Sequence, residues 1–590
     1  MALENLITEH IDIWTSAVKT KSASGRGSNK KLELYGVKKL RELILELAVR
    51  GKLVPQDPND EPAAVLLERI ALEKAQLVKE KKIKKPKTLQ TLSPESLPQL
   101  PESWTWSYMQ DITEYVQRGK GPKYAEEGSV RVISQKCVQN SGFDIEPARY
   151  IEEESLEKYQ DERFLRENDL LWNSTGTGTV GRVNVLPSIK QKSLVADSHV
   201  TVVRPLIMNS RYIWCILMAP GVQARIDPFH EQSLVSGSTK QVELNTSSVV
   251  TLPIPVAPIA EQHRIVDKVD ELMALCDQLE QQTETSIEAH QVLVTTLLDT
   301  LTNSADADEL MQNWARVSEH FDILFTTEGS IDQLKQTILQ LAVMGKLVPQ
   351  DPSDEPAAKL LKRIAEEKVQ LVKEKKIKKQ KALPPISEDE KPFELPSSWE
   401  WCRLGQIGYD LGGGTPSKSN SKYWDGEIPW VSPKDMKVDF IESAIDTVTE
   451  KAIKETTIKL IPKNSLLMVV RGMILAHSFP VALTNKDVVI NQDMKALVFS
   501  NIDPHYLLTV MKATKTTFTD LVDRSSHGTC KLISEKLWNV TLAIPPLNEQ
   551  KNINMMLEQI MDICEQLKQG IRKKYQSQLH LTDTIVEQAV

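Results

Sequence analysis

The sequence predicts an α+β protein of two similar halves. Each half is a mixed α/β insert in a helical frame, with long antiparallel helices as a coiled-coil spacer and a pseudo-two-fold axis relating the halves. Three observations carry this. Residues 44–87 and 338–381 are near copies, with 36 of 44 aligned positions identical at an offset of 294. That period is the size of a domain plus its connector, not of a solenoid repeat. Two stretches, 265–301 and 553–585, repeat apolar residues at 3–4 spacing. The intervening stretches, 107–254 and 402–543, hold short β-branched runs between turn residues and share almost no sequence.

The first copy opens with a helix over 36–50, with Val37, Leu40, Ile44 and Leu47 on one face. Gly51 stops it. The loop KLVPQDPNDEP follows, and Pro62 takes the first position of a second helix reaching about Lys85. Its copy spans 356–379. The lysine-rich runs 79–85 and 373–379 close these helices, where cations suit the helix dipole or phosphate contacts. Weaker echoes extend the repeat: Pro101-Glu-Ser-Trp-Thr-Trp106 returns as Pro396-Ser-Ser-Trp-Glu-Trp401, and Pro258-Ile-Ala-Glu-Gln262 as Pro546-Leu-Asn-Glu-Gln550. Glu9-His-Ile-Asp-Ile13 resembles Glu319-His-Phe-Asp-Ile323. The stretch after Glu549 carries the first part of the central helical block, and residues 9–87 carry the rest, so head-to-tail joining of the two would complete a second block.

One long helix places Ile265, Val269, Leu272, Cys276, Leu279, Thr283, Ile287, His290, Val294, Leu297 and Leu301 on a seam; the other places Ile553, Leu557, Ile560, Cys564, Leu567, Ile571, Leu581 and Ile585. Each spans on the order of 60 Å at about 1.5 Å per residue. Antiparallel pairing would hold the inserts a fixed distance apart. The partner-docking and coiled-coil set is Ile265, Val269, Leu272, Leu279, Ile553, Leu557, Ile560 and Leu567. Cys276 and Cys564 read as seam residues rather than redox centres, and His290 as a tolerated polar seam position. Strands are expected at 130–134, 170–173, 180–186, 199–203, 466–470 and 488–490, and helices at 212–218 and 506–512.

Of the 590 residues, 41% are hydrophobic and 26% charged, the balance of a globular chain. No apolar run reaches the ~18 residues of a membrane span, and the N-terminal stretch is acidic where a signal peptide needs basic residues. The six cysteines include no Cys-x-x-Cys, so neither disulfides nor a zinc site is expected, and the cytoplasm is the expected compartment. A net charge of −8 means that bulk charge does not drive nucleic-acid binding; local patches or a basic partner must.

Catalytic motifs fail one by one. Gly176-Thr-Gly-Thr-Val-Gly181 matches a dinucleotide fingerprint, but Arg182-Val-Asn-Val-Leu186 then reads as a strand where that fold needs a helix. A tight turn presenting Ser174, Thr175 and Thr177 fits better. The chain has no Walker A lysine motif, no Asp/Asn-Pro-Pro-aromatic tetrad, no Gly-x-Ser-x-Gly and no His-Glu-x-x-His. Ser387-Glu-Asp-Glu-Lys391 gathers carboxylates, but on a Pro-flanked linker. No metal ligands are assigned. What remains is loop chemistry suited to DNA: amides, hydroxyls and isolated cations for phosphates, and Arg, Asn, Gln, Ser and His for base edges. The candidates are Ser174, Thr175, Thr177, Arg182, Ser236, Ser238 and Lys240 in the first insert. In the second they are Thr415, Ser417, Lys418, Lys434, Arg471, Arg524, Ser525, His527 and Lys531.

GKLVPQDPNDEPAA and its copy, GGGTPSKSNSKYWDGEIPWVSPKDM, DSHVTVVRP at 197–205 and the Pro-x-x-Glu-Gln helix starts together resemble the DNA-specificity subunit of type I restriction–modification enzymes, over nearly the whole chain. The resemblance implies an N-terminal helical region at 1–98, a target recognition domain at 99–258, a central helical region at 259–392, a second target recognition domain at 393–546 and a coiled-coil helix at 547–590. Each recognition domain would read one half of a split, asymmetric site in double-stranded DNA. The helices would set the spacer and dock two methyltransferase subunits, and motor-nuclease subunits would complete the complex. S-adenosylmethionine, ATP and Mg²⁺ would act on those partners, none in this chain. Two alternatives stay open: a specificity subunit serving a methyltransferase without a nuclease, and a coiled-coil scaffold whose inserts bind proteins.

Overall fold

The computed structural model describes residues 3–20, 32–93, 97–157, 159–176, 178–238, 241–524 and 530–590. It divides into a first unit, Met1–Ser286 with Lys574–Val590, and a second, Ile287–Lys573. Among the described residues, no helix is long and apolar enough to cross a membrane.

The frame of the second unit is built by local rules. Helix Glu328–Val343 begins at a capping box, in which Thr327 and Ser330 satisfy each other's backbone amides. It buries Ile331, Leu334, Ile338, Leu341 and Ala342. It ends in a Schellman turn: the Lys346 amide donates to the Leu341 carbonyl at 2.9 Å and the Gly345 amide to that of Ala342 at 3.4 Å. Gly345 has φ +72°, and a Cβ there would lie 2.6 Å from Pro396 Cγ, so glycine is required twice over. Helix Ala357–Lys373 follows.

The first unit repeats this. Helix Tyr35–Val49 ends with the Lys52 amide on the Leu47 carbonyl at 2.9 Å, and helix Ala63–Lys79 follows. Pro62 and Pro356 stand one residue before their helices, not at the first helical position, because ψ of 147° and 143° holds them extended. The helices also stop at Lys79 and Lys373, short of the expected ends near Lys85 and Lys379. Lys81 (φ 60°) and Lys375 (φ 56°) turn left-handed there, and the next amides, of Lys82 and Lys376, close on Leu77 and Leu371, each at 2.9 Å. Most of each lysine run therefore lies beyond its helix, and the dipole argument holds for Lys79 and Lys373 alone.

In the first unit the two partial blocks join. Tyr35 donates to Asp583 Oδ1 at 2.7 Å, Gln578 to Ser16 Oγ at 2.9 Å and Lys52 Nζ to the Val590 carbonyl at 2.5 Å. Trp14 is fully buried beside them.

The long helices are Ile259–Thr302 and Leu547–Ala589. Within the first unit Ile265, Val269, Leu272, Cys276 and Leu279 are buried. Within the second, Val294, Leu301, Ile553, Leu557 and Cys564 join the core, with Leu297, Ile560 and Leu567 packed on its margin. His290 Nε2 bonds the Ile323 carbonyl at 3.1 Å. Leu581 departs from the expected seam: it is 46% exposed, while its neighbour Thr582 is buried, so the buried face has shifted one residue round the helix. Burial pushes the Cys276 thiol up to about 11 and raises that of Cys564, which keeps both as unreactive thiols.

The inserts share a topology that their sequences hide. In the first, Thr105–Tyr108 enters and Pro253–Val256 leaves as an antiparallel pair. Between them lie a four-stranded sheet in the order Val183–Val185, Leu170–Asn173, Val200–Pro205, Thr113–Arg118, and a second sheet in which Arg131–Ile133 and Leu194–Ala196 run parallel. In the second insert the neck is Glu400–Arg403 with Thr541–Ile544. Its main sheet, of five strands, runs Gly408–Gly412, Met494–Phe499, Leu466–Val469, Val481–Thr484, Phe440–Ile441, and Trp424–Val431 pairs in parallel with Val489–Ile490 in the other sheet. Helices Ser210–Met218 and Pro504–Ala513 occupy matching places after the sheets.

Gly345→Ala should destabilise the chain by more than about 1 kcal/mol, since alanine resists positive φ and has no room here. A lower denaturation midpoint would show it; an unchanged one would refute the account of the turn.

Candidate nucleic-acid interface

Each insert is held in its frame by one buried carboxylate. Glu261, 1% exposed, opens the first long helix. Its Oε2 accepts from Trp104 Nε1 at 2.9 Å and its Oε1 from Gln56 Nε2 at 2.5 Å. Glu549 repeats this with Trp399 at 3.1 Å and Gln350 at 2.7 Å, both on Oε1. The next residue binds backbone: Gln262 accepts from the Asn209 amide at 3.1 Å and Gln550 from the Asp503 amide at 2.8 Å. Those amides start the helices whose Tyr212 and Tyr506 donate to the exit strands, at Pro255 and Ala543, across 2.8 and 3.0 Å. Burial raises both carboxyls above the usual range despite their donors. Lys368 Nζ ties the repeat helix to the Gly405 carbonyl at 2.6 Å, as Lys74 does to Thr113 at 2.8 Å. Thus the motifs VPQDP, Ser-Trp and Pro-x-x-Glu-Gln meet at one point in each unit.

The second insert gathers several of the predicted residues. Arg471 forms a bridge with Lys531, and its Nη1 stands 3.8 Å from Asp493 Oδ1. Thr415 donates to Gln492, and Ser417 pairs with Ser419 at 2.8 Å. Lys418, Lys434, Arg524 and Lys531 are exposed. Ser525 and His527 lie outside the described residues.

The first insert departs further from expectation. Ser174 is not on the surface: it is fully buried, 2.5 Å from Thr201 Oγ1, because it sits where the strand Leu170–Asn173 still packs on its neighbour. It is a core residue, not a DNA contact. Thr175 is half-buried, with Oγ1 2.5 Å from His199 Nδ1. Arg182 braces the turn, donating to Gln139 Oε1 at 2.7 Å and the Gly178 carbonyl at 2.8 Å. Ser236 is exposed and bonds Asn245 at 3.2 Å. Ser238 ends the strand Val235–Ser238. Thr177 and Lys240 lie outside the described residues. The Gly176–Gly181 turn has positive φ at all three glycines and leads into strand Val183–Val185, antiparallel to Leu170–Trp172. It is a hairpin, without the helix a dinucleotide site needs.

Sequence reasoning missed Arg118, His199 and Glu243. Arg118 donates to Glu243 and to the Ser198 carbonyl. Gly119-Lys-Gly-Pro122 takes the place of Gly413-Gly-Thr-Pro416: a Cβ at Gly119 would strike the Asp197 carbonyl oxygen at 2.1 Å, and one at Gly413 that of Asn491 at 1.8 Å. The shared Gly-x-x-Pro was the available signal. Glu390, in the dismissed acidic linker, is structural: Arg403, 3% exposed, holds it at 2.6 and 2.8 Å and pulls its carboxyl down to about 2. Among the described residues, no group of three or more His, Cys, Asp or Glu is placed to hold a metal ion.

The family model for the type I restriction modification DNA specificity domain matches twice, at residues 101–289 and 396–575. The specificity subunit of the type I restriction enzyme EcoEI from Escherichia coli is 41% identical over 100% of both chains, and that of EcoAI from the same organism is 40% identical, also over 100% of both. A chain from a structure describing assembly and conformational transition of the type I R-M system matches at 15% identity and a TM-score of 0.48, covering 84% of this chain and 99% of its own. The protein belongs to the type I restriction–modification specificity family, as a specificity subunit and not a catalytic one.

The junction sets a pH prediction. A carboxyl whose folded pKa is raised contributes most stability below its unfolded pKa and loses it as pH rises through the folded value. Trp104→Phe leaves ionised Glu261 short of a donor and should cost about 1–3 kcal/mol at pH 8. The deficit should shrink as the pH is lowered from 8 and Glu261 takes up a proton. Melts across that range check it; a pH-independent deficit would be contrary to this.

Proposed function

We propose that the inserts, 99–258 and 393–546, each read one half of a split, asymmetric site in double-stranded DNA. The helical regions 1–98, 259–392 and 547–590 set the number of unread base pairs and dock two methyltransferase subunits. The assembly methylates adenine with S-adenosylmethionine bound by those partners. With motor-nuclease subunits using ATP and Mg²⁺, it cuts unmodified DNA in the cytoplasm. The observation that carries this reading is one frame, near-identical over 44 residues of each copy, around two inserts whose central strands follow the same order but whose sequences differ. Two readers of different half-sites need that combination. The modest net charge of −8 fits a chain whose partners grip much of the DNA backbone.

Within the inserts, the loop residues Thr175, Thr177, Arg182, Ser236, Ser238 and Lys240 on one side, and Thr415, Ser417, Lys418, Lys434, Arg471, Arg524, Ser525, His527 and Lys531 on the other, supply phosphate and base contacts.

Adenine-methylation sequencing with and without the gene tests the reading directly. Loss of one split motif on deletion is expected, and an unchanged methylome in a strain that expresses the system would count against it. Removing one heptad from 261–301 should change the spacer length or abolish methylation. An unchanged spacer would sink the role given to the helices.

A further inference from the structure

The two inserts share backbone positions that carry opposed side chains, and strand register identifies them without any sequence alignment. Trp172 faces Thr201, which faces Arg118; in the second insert Met468 faces Lys495, which faces Gly412. One residue past the next pair, the Ser174 amide donates to the His199 carbonyl and the Val470 amide to that of Asp493, both at 2.8 Å. Then Thr175 bridges Glu243, and Arg471 bridges Lys531. The amides that follow close the match, Leu244 on Ser174 at 2.7 Å and Leu532 on Val470 at 2.9 Å. Four positions are thus equivalent: Arg118 with Gly412, Thr175 with Arg471, His199 with Asp493 and Glu243 with Lys531.

The backbone at this edge is constrained, as the obligatory glycines 119 and 413 show, but the side chains are not needed for the core. Neither Glu243 nor Lys531 is buried, and Arg471 is 49% exposed. The first insert presents a hydroxyl–imidazole pair and a carboxylate steadied by Arg118. The second presents a guanidinium and an ammonium beside a carboxylate. At the Glu243–Lys531 position one insert carries an acceptor where the other carries a donor.

We infer that these four positions are the specificity-determining set of each insert: Arg118, Thr175, His199 and Glu243 in the first, Gly412, Arg471, Asp493 and Lys531 in the second. This rests on the reading that each insert recognises a DNA half-site. Arg471 is the residue that meets a base edge. Its guanidinium has the fork needed for a guanine O6/N7 edge. Its 3.8 Å contact with Asp493 is loose and half-exposed, the kind of ion pair worth little, so it turns to DNA without breaking a strong bond. Asp493 is a positioning residue for it. In the first insert Glu243 is an acceptor suited to cytosine N4, and Arg118 positions it.

The test uses the full chain assembled with its methyltransferase partner. Binding is measured to duplexes carrying each single base-pair change across the split site. Arg471→Ala should weaken cognate binding roughly 10- to 100-fold and remove the preference at one base pair of one half-site, leaving the other half-site unchanged. Arg471→Lys should recover affinity without the full preference, because an ammonium lacks the fork; a loss of affinity in Arg471→Ala that is equal for every base-pair change, with the preference kept, would mean a phosphate contact and overturn the assignment. Glu243→Gln should act in the opposite half-site only. Equal melting midpoints for variants and parent exclude misfolding as the cause. A parent complex that reads a split site, with both variants leaving all base preferences intact, overturns this inference alone. A parent complex with no sequence preference overturns the half-site reading as well.

Discussion

A buried carboxylate at the start of each long helix organises everything downstream. Glu261 and Glu549 are sequestered, and removing an ionised group from water costs several kcal/mol unless donors meet it. The indole and amide that meet each one come from two different parts of the chain, the residue just before the entry strand and the repeat loop. That need fixes where the helix begins, where the insert enters and how the repeat helices stand against both. The neighbouring glutamine extends the constraint to the helix that follows the sheets, and through its tyrosine to the exit strand. A substitution at any of these points leaves a polar group stranded, which accounts for their recurrence in both halves.

The inserts obey a looser rule. A strand needs only apolar residues on its covered faces and turns that permit its register. Leu170-Leu-Trp-Asn173 and Leu466-Leu-Met-Val469 satisfy that equally while sharing two residues of four. The frame is specified by particular hydrogen-bonded side chains and the inserts by pattern, so the frame repeats in sequence and the inserts repeat only in topology.

The same distinction governs what could be read from sequence. The repeat, the long helices, the central strands and the two helices after the sheets were legible, because periodicity and near-identity report them directly. Helix ends were less so: Lys81 and Lys375 adopt positive φ without being glycine, and nothing local announces it. Ser174 was misplaced because a strand-end serine looks the same in sequence whether it faces a loop or a neighbouring threonine. Arg118, His199 and Glu243 were invisible because strand pairing brings them together from 125 residues apart, and no spacing rule spans that distance. The acidic linker illustrates the converse, since one buried arginine absorbs Glu390 into structure.

The neck of each insert is a pair of antiparallel strands, Thr105–Tyr108 against Pro253–Val256 and Glu400–Arg403 against Thr541–Ile544. Paired strands lie only about 4.8 Å apart. An insert therefore leaves its frame almost where it entered, and the frame holds it at the neck and at the helix that follows its sheets, through the Asn209 and Asp503 amides. Any folded segment whose termini meet at that spacing, and which carries a helix start for the frame's glutamine, is a cassette. New recognition could then be acquired by wholesale exchange at the neck, with no intermediate in which the remainder of the molecule has to be rebuilt.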